Sequence, residues 1–296
     1  MKNSLRSLIN ITKQSFKAWW AREPFNNSIV VAYYTIFSLP GLLVIVINVA
    51  GYFFGKEMVT DEISLQVGGL LGTETVQDVE GIAQRAGESK ETTVSTILSV
   101  ATLLFGATGV FYQVQQIFNK IWEVEPKPKQ RIMRLIRDRL FSFGLILVVG
   151  FLLLVSLVLS AALSAMSDWV GTNVSEGLTF LFGVADFIVS LGVVTLLFAS
   201  MFKFLPDAKI KWKDVWVGAF LTAILFTIAK IALGLYFGKS DPTSAYGAAG
   251  SVVLIMLWVS YAGLILFFGA EFTKIYSERH GRKVEPAPHA ERVSGK

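Results

Sequence analysis

Two ionisable residues lie deep within apolar segments of the sequence, and they are the first candidates for chemistry. Asp186 and Lys230 stand eight and seven residues from the ends of two apolar stretches that a short connection joins. At 1.5 Å per helical residue, both would lie roughly 10–12 Å below the same membrane boundary. A lone charge there costs several kcal/mol, so the two residues are predicted to form an ion pair. The pair could serve a substrate or proton pathway, or it could be structural, with the lysine reaching outward.

Further polar residues gather where the apolar stretches end. Glu271 closes the last stretch, residues 113–120 close the second, and Tyr34 lies near the start of the first. These residues could line an inner vestibule in which Glu271 meets a cation or a hydrogen-bond donor. Alternatively, they anchor the helix ends and form interhelical hydrogen bonds, each worth about 0.6 kcal/mol.

The apolar stretches define the class of protein. Each has at least the roughly 20 residues that a helix needs to cross the hydrocarbon core. Backbone groups find no partners in lipid, so each stretch must be a helix. The predicted spans are 29–54, 94–118, 141–166, 178–205, 215–237 and 251–272. The sequence therefore predicts an all-α, polytopic membrane protein with six transmembrane helices and amphipathic helices on both faces.

The placement of lysine and arginine predicts the orientation. Of the 27 basic residues, 22 fall on one side of the predicted spans and four on the other. Loops rich in these residues stay in the cytoplasm, so both termini are predicted to be cytoplasmic. Arg131, Arg134 and Arg137 on that side could contact anionic lipid headgroups, or could simply enforce the topology. The net charge of +5 follows from this asymmetry and does not indicate a nucleic-acid partner.

Soluble-enzyme chemistry finds no support in the motifs. The chain has no cysteine, and its two histidines, His280 and His289, both lie in the polar tail. It carries no P-loop, no H-E-x-x-H and no G-x-S-x-G. We therefore predict no enzymatic activity, no cofactor and no metal site.

Three segments outside the spans carry predictions of their own. Residues 1–28 have the spacing of an amphipathic helix, either on the cytoplasmic leaflet or packed against the bundle. Residues 55–93 carry eight acids and three bases and predict one or two helices over the outer face. That segment could cap a cavity, dock an envelope protein or simply cover the bundle. The tail, 277–296, has no apolar periodicity and is predicted to be disordered.

Pro40-Gly41 interrupts the first predicted span. Proline removes a backbone donor and crowds the carbonyl of Ile36, so a kink or break is expected there. Thr35 and Ser38 could bond the freed backbone groups.

Four stretches of the sequence resemble the YihY/BrkB family of bacterial inner-membrane proteins. They are AYYTIFSLP (32–40), TLLFGATGVFYQVQQIFNKIWEVEP (102–126), FKFLPDAKIKWKDVWVGAFLTAILF (202–226) and SAYGAAGSVVLIMLWVSYAGLILFFGAEF (244–272). The order of N-x-I-W, F-L-P-D, Y-G and G-A-E carries the resemblance over about residues 10–280. By resemblance, the family-pattern positions are Tyr34, Pro40, Asn119, Trp122, Pro206, Asp207, Tyr246, Gly247 and Glu271.

The resemblance implies an inner-membrane transporter or lipid-handling protein with a role in the bacterial envelope. The leading hypothesis is a transporter or flippase-like protein for an amphipathic or lipid-related substrate, with membrane lipids as its partners. The alternative is a non-transporting scaffold that anchors an envelope assembly through residues 55–93.

Overall fold

The described part of the chain is built almost entirely from helices. A computed structural model describes residues 2–71, 81, 109–127, 144, 176–239, 250–282 and 284–293. Its helices are α1 (Lys2–Ala21), α2 (Pro24–Phe54), α3 (Lys56–Leu71), α4 (109–122), α5 (Glu176–Phe204), α6 (Trp212–Lys239) and α7 (Gly250–Arg279). The prediction of an all-α membrane protein is confirmed.

Three of the described helices are long and apolar enough to cross a bilayer. They cover Phe180–Phe204, Trp212–Tyr236 and Gly250–Arg279, with mean hydropathies of 2.3, 2.0 and 2.3. Large apolar side chains on α5 and α6 point outward, as expected for surfaces that contact lipid; Phe180, for example, is 74% exposed. The predicted span 29–54 lies within α2, whereas 94–118 is described only from residue 109 and 141–166 only at residue 144. The number of six spans therefore stays a prediction.

The expected break at Pro40-Gly41 does not occur, since α2 runs without interruption from Pro24 to Phe54. The Thr35 hydroxyl donates to the Val31 carbonyl at 2.9 Å, and the Ser38 hydroxyl donates to the Thr35 carbonyl at 3.1 Å. Neither of these bonds reaches the Ile36 carbonyl. A proline removes one intrahelical hydrogen bond, and packing against neighbouring helices is enough to keep such a helix continuous in a membrane.

Helix α7 lies at the centre and packs against α1, α2 and α6. Phe267 on α7 meets Phe118 of α4 edge-to-face, with ring centroids 6.3 Å apart. Phe118 in turn lies 5.7 Å from Phe202 of α5. All three side chains are at most 2% exposed, so this aromatic cluster forms the core at one end of the bundle.

Helices α6 and α7 approach closely through a reciprocal glycine–threonine contact. A Cβ added at Gly218 would lie 1.8 Å from Thr273 Oγ1, and one added at Gly269 would lie 1.9 Å from Thr222 Oγ1. Each threonine hydroxyl donates to the carbonyl of the glycine one turn earlier in its own helix, at 2.7 Å. Small residues spaced by four positions allow this kind of close helix packing in membranes.

Helix α1 packs against α7 and also exposes apolar side chains, and its placement on the cytoplasmic leaflet stays a prediction. Ile11 and Ser15 are buried, and Trp19 Nε1 donates to the Leu264 carbonyl of α7 at 3.1 Å. Ile9 and Trp20 are more than half exposed, as an interfacial helix requires. The helix ends at Ala21 and α2 begins at Pro24, so the predicted boundary at residue 28 falls inside α2.

The tail that the sequence predicts to be disordered is ordered over residues 277–282 and 284–293. Strand β1 (Val124–Pro126) pairs antiparallel with β4 (Ala290–Arg292), and β2 (Ala208–Lys209) pairs with β3 (Glu285–Pro286). We call residues 284–293 the strap. Its order comes from backbone pairing with the segment after α4 and with the turn between α5 and α6, and such pairing requires no apolar periodicity in the sequence.

Candidate functional site

Asp207 organises the turn between α5 and α6. Its carboxylate accepts hydrogen bonds from Asn119 Nδ2 at 2.9 Å and from Gln115 Nε2 at 3.4 Å. Its backbone N–H donates to Asn119 Oδ1 at 2.8 Å, and His289 Nε2 lies 2.8 Å from Asp207 Oδ1. Asp207 is 5% exposed, so these partners replace the water that a carboxylate would otherwise bind.

Replacing Asn119 with alanine is expected to lower the free energy of unfolding by about 1–2 kcal/mol, because two hydrogen bonds to a buried aspartate are lost. Thermal unfolding in detergent measures the change. Gln116→Ala, in the same helix, is the matched control and should cost less than 0.5 kcal/mol, roughly the usual limit for sites without such contacts. Equal costs for the two variants would show that the Asn119–Asp207 contact contributes little.

A second cluster centres on Arg22, which follows the end of α1. Its Nε lies 2.5 Å from Glu271 Oε1, its Nη2 lies 3.0 Å from Glu123 Oε1, and its Nη1 donates to the Lys120 carbonyl at 2.7 Å. Lys274 Nζ lies 2.9 Å from the same Glu123 oxygen. Glu271 is 1% exposed, and within the described residues its oxygens accept no hydrogen bond of regular geometry. The Arg22 charge is therefore the main compensation for a buried carboxylate.

Two left-handed turns bring this second cluster together. Glu23 and Glu123 have φ values of 52° and 54°; Glu23 immediately precedes α2, and Glu123 directly follows α4. A non-glycine residue in this region costs on the order of 1 kcal/mol, so other contacts must hold it there. The turn at Glu123 places its carboxylate between Arg22 and Lys274.

A cavity of about 550 Å³ opens beside the Arg22 cluster. Its wall has apolar and charged parts, formed by Trp19, Ala21, Arg22, Glu23, Pro24, Asn27, Ile117, Lys120, Ile121, Glu123, Phe267, Glu271, Arg292 and Val293. A cavity of this size is within the usual range for small-molecule sites. The mixed wall suits a ligand with both a polar and an apolar part.

The charges around Glu123 shift its titration. Its hydrogen bond to the Lys274 ammonium is the largest influence and lowers the pKa of the Glu123 carboxyl below its ordinary value. Partial burial opposes this effect, and Arg22 adds to it. The ionised form of Glu123 is therefore favoured in the folded protein.

The lowered pKa of Glu123 predicts a pH-dependent contribution to stability. A carboxyl with a depressed pKa stabilises the fold fully above its unfolded pKa and loses that contribution as pH falls through the folded pKa. The difference in melting temperature between the parent and Glu123→Gln should thus stay constant above about pH 5 and shrink toward pH 3. A difference that does not shrink on acidification would contradict the ion-pair assignment; Glu125→Gln, an exposed strand residue, is the control.

A third ion pair joins the ends of α6 and α7. Asp214 lies fully buried in the first turn of α6, where the helix N-terminus favours a carboxylate. It accepts a hydrogen bond from Ser277 Oγ at 2.9 Å and pairs with Arg282. All three clusters lie near the turns that the strap contacts. Within the described residues, no group of three His, Cys, Asp or Glu side chains could hold a metal ion.

The structure divides the predicted vestibule and family-pattern residues among different places. Asn119 and Asp207 bond directly, next to the buried Pro206. Glu271 reaches Arg22 instead of joining them. Trp122 is 5% exposed, and its Nε1 has no hydrogen-bond partner in the part of the chain that the structure describes.

The remaining predicted residues lie elsewhere. Tyr34 is 42% exposed on α2, which also contains Pro40. Asp186 is half-buried on α5 and Lys230 is exposed on α6, so their ion pair stays a prediction. Outside the described residues lie Tyr246, Gly247, Arg131, Arg134 and Arg137.

Sequence reasoning missed several members of the site. Glu123 directly follows the N-x-I-W motif, and Lys274 lies three residues beyond Glu271 on the same helix face, so both had a local signal. Arg22 and His289 had none, because their partners are distant in the sequence. In the sequence, Arg22 is simply one of the 22 basic residues on the predicted cytoplasmic side.

Lipid-exposed apolar helices around a buried polar network define an α-helical integral membrane protein. A family model described as Virulence factor BrkB matches residues 15–294. The chain belongs to this family. No solved structure matches it.

Relatives in the family are named as membrane proteins. A UPF0761 membrane protein of Delftia acidovorans is 28% identical over 173 residues, which cover 58% of this chain and 39% of the relative. One of Albidiferax ferrireducens is 32% identical over 175 residues, covering 58% and 39%. One of Stenotrophomonas maltophilia is 26% identical over 255 residues, covering 84% and 56%. The chain thus spans about half the length of these relatives.

Proposed function

We propose that the protein is a transporter or flippase-like protein that moves an amphipathic or lipid-related substrate across the bacterial inner membrane. In this proposal the chain crosses the membrane six times, and both termini lie in the cytoplasm. The cavity beside Arg22 is where the substrate enters. The single observation that carries the proposal is this cavity of about 550 Å³ with its mixed wall.

The cavity wall matches the two parts of an amphipathic molecule. Trp19, Ala21 and Val293 offer apolar surface to a chain or ring. Arg22 and Lys120 offer positive charge to a phosphate or carboxylate headgroup. Glu271 contributes indirectly, because it holds Arg22 at the cavity wall.

An apolar groove beside α1 also supports a lipid-related substrate. It has a volume of about 450 Å³ and is lined by Leu8, Ile9, Thr12, Lys13, Phe16 and Phe268. An amphipathic helix on the membrane surface places such a groove at the depth of the acyl chains. The lysine at its edge suits an anionic headgroup. Arg131, Arg134 and Arg137 are proposed to contact the same headgroups.

Asp186 and Lys230 are the proposed intramembrane part of the pathway. Neutralising either residue alone would leave the other charge in lipid, whereas neutralising both would not. We expect Asp186→Asn and Lys230→Met each to slow transport more than the double variant does. If the single and double variants all fold and transport like the parent, Asp186 and Lys230 are not part of the pathway.

Reconstitution tests the proposed function. Purified protein in vesicles should move fluorescent short-chain phospholipids between leaflets faster than protein-free vesicles, as measured by chemical quenching of the outer leaflet. Comparing the transport rates of anionic lipids, zwitterionic lipids and small organic anions identifies the substrate class. Movement of none of these above the protein-free rate would count against transport.

The alternative is a non-transporting scaffold that binds an envelope protein through residues 55–93. It is favoured by α3, which follows α2 directly and exposes Glu57, Met58 and Asp61. Deleting residues 60–90 should abolish partner capture while the rest of the chain stays folded. Capture that survives this deletion would exclude the segment as the docking site.

A further inference from the structure

The strap forms part of the wall of the cavity. Arg292 and Val293 line it, and the Val293 N–H donates to the Glu123 carbonyl at 3.1 Å. The strap therefore touches the same residue that pairs with Arg22 and Lys274. Movement of the strap would change both the opening of the cavity and the surroundings of its charges.

Few apolar contacts hold the strap in place. Within residues 284–293 only Ala290 is buried, at 4% exposure, and Val284 packs partly buried against the core. The two ladders are short, with three residue pairs between β1 and β4 and two between β2 and β3. Segments with few buried apolar contacts open locally at a small fraction of the global unfolding free energy.

Polar contacts therefore decide whether the strap stays closed. His289 Nε2 lies 2.8 Å from Asp207 Oδ1. The Ala287 N–H donates to the Asp207 carbonyl at 2.9 Å, and Lys127 Nζ donates to the Pro288 carbonyl at 3.0 Å. Asn119 holds Asp207 without help from the strap, so the His289 contact can break and re-form while the α5–α6 turn stays intact.

We infer that the strap is a lid on the cavity beside Arg22 and that His289 latches it to Asp207. In the closed state Arg292 and Val293 stand at the cavity wall. Release of His289 leaves the strap held by its two short ladders and a few backbone hydrogen bonds, so the strap opens more often and admits larger ligands to the cavity. The gating role rests on the proposed function, whereas the latch itself does not.

The absence of cysteine from the sequence allows a direct test of the latch in the full chain. A single cysteine at Ala290 should react slowly with a maleimide while the strap is closed. Adding His289→Ala should raise the labelling rate roughly tenfold or more, as expected for loss of a hydrogen bond to a charged group. The matched control is His280→Ala, which removes the other histidine, at the end of α7, and should leave the rate unchanged. Equal rates with and without His289 would overturn the latch.

Cross-linking tests the latch with Ala290 left in place, so the result does not depend on whether a cysteine at that position loosens the strap. Glu125 and Glu291 are exposed register partners in the β1–β4 ladder. Cysteines at both positions should form a disulfide readily in the parent and more slowly in His289→Ala. Identical rates of disulfide formation would again overturn the latch.

Two further measurements test the lid. A single cysteine at Ile121, a buried residue of the cavity wall, should become more reactive in His289→Ala. The Glu125–Glu291 cysteine pair, once oxidised, should slow lipid movement in vesicles, and a reductant should restore it. An unchanged reactivity at residue 121 would overturn the lid. If neither the parent nor any variant moves lipid, the proposed function fails. The labelling rates at residues 290 and 121 and the rate of cross-linking between residues 125 and 291 still test the latch and the lid.

Discussion

Replacing Arg22 with methionine is expected to lower the free energy of unfolding by about 3 kcal/mol or more, because Glu271 is left buried without its cation. Arg22 also loses its contacts with the Lys120 carbonyl and Glu123. Lys274 still pairs with Glu123, so the loss falls mainly on Glu271. Thermal unfolding in detergent, followed by circular dichroism, measures the effect.

Two companion variants separate charge from geometry at this ion pair. Arg22→Lys keeps the charge, but a lysine cannot reach three acceptors in the way a planar guanidinium does, so an intermediate loss is expected. Adding Glu271→Gln to Arg22→Met should restore part of the stability, because the uncompensated charge is gone. A double variant no more stable than Arg22→Met would mean that the buried charge is not what makes the single change costly.

Replacing Gly218 with alanine is expected to cost about 2 kcal/mol, because the new methyl group overlaps Thr273. The added Cβ would lie 1.8 Å from Thr273 Oγ1, 2.9 Å from its Cβ and 3.3 Å from its Cα. Rotating the threonine side chain relieves only the first of these contacts, so α6 and α7 must move apart. The midpoint of thermal unfolding should fall by several degrees.

Gly234→Ala is the matched control for this helix contact, since it lies in the same helix and an added Cβ there meets nothing within 4 Å. It should be neutral or slightly stabilising, because alanine has the higher helix propensity. Adding Thr273→Ala to Gly218→Ala should recover part of the loss, because Oγ1 is removed. If Gly218→Ala is as harmless as Gly234→Ala, the two helices do not pack as closely as described.

The membrane helices could be predicted from sequence because lipid imposes a simple requirement. A stretch such as 178–205 must satisfy its own backbone groups, and α5 covers almost the same residues. The pairing of Asn119 with Asp207 was only partly predictable. Both residues stood out by family resemblance, but nothing in their spacing showed that they would bond each other.

Other parts of the site could not be predicted, because their signals are not local. The strap pairs through backbone groups with turns far away in the sequence, so its side chains carry no periodic pattern. Arg22 resembles any other cation that sets membrane topology until folding brings it to Glu271. Helix α2 continues through Pro40 although proline disfavours a helix interior, and its packing against α7 cannot be read from its own residues.

Two of the three polar clusters have complementary roles at this end of the bundle. The Asp207 cluster fixes the α5–α6 turn and anchors the strap through His289. The Arg22 cluster ties α1 and α4 to α7 and forms part of the cavity wall. A substrate that enters the cavity would meet residues of α1, α2, α4, α7 and the strap. This connection is why we place the function at this end of the bundle.

Filling the cavity with a bulky side chain shows whether this cavity is the substrate site. Ala21 is exposed at the cavity wall, whereas Ala232 is exposed on α6 away from it. In the vesicle assay, Ala21→Trp should reduce lipid movement to near the protein-free rate, while Ala232→Trp should keep the parent rate. Lipid movement by Ala21→Trp at the parent rate would contradict the assignment of this cavity as the substrate site.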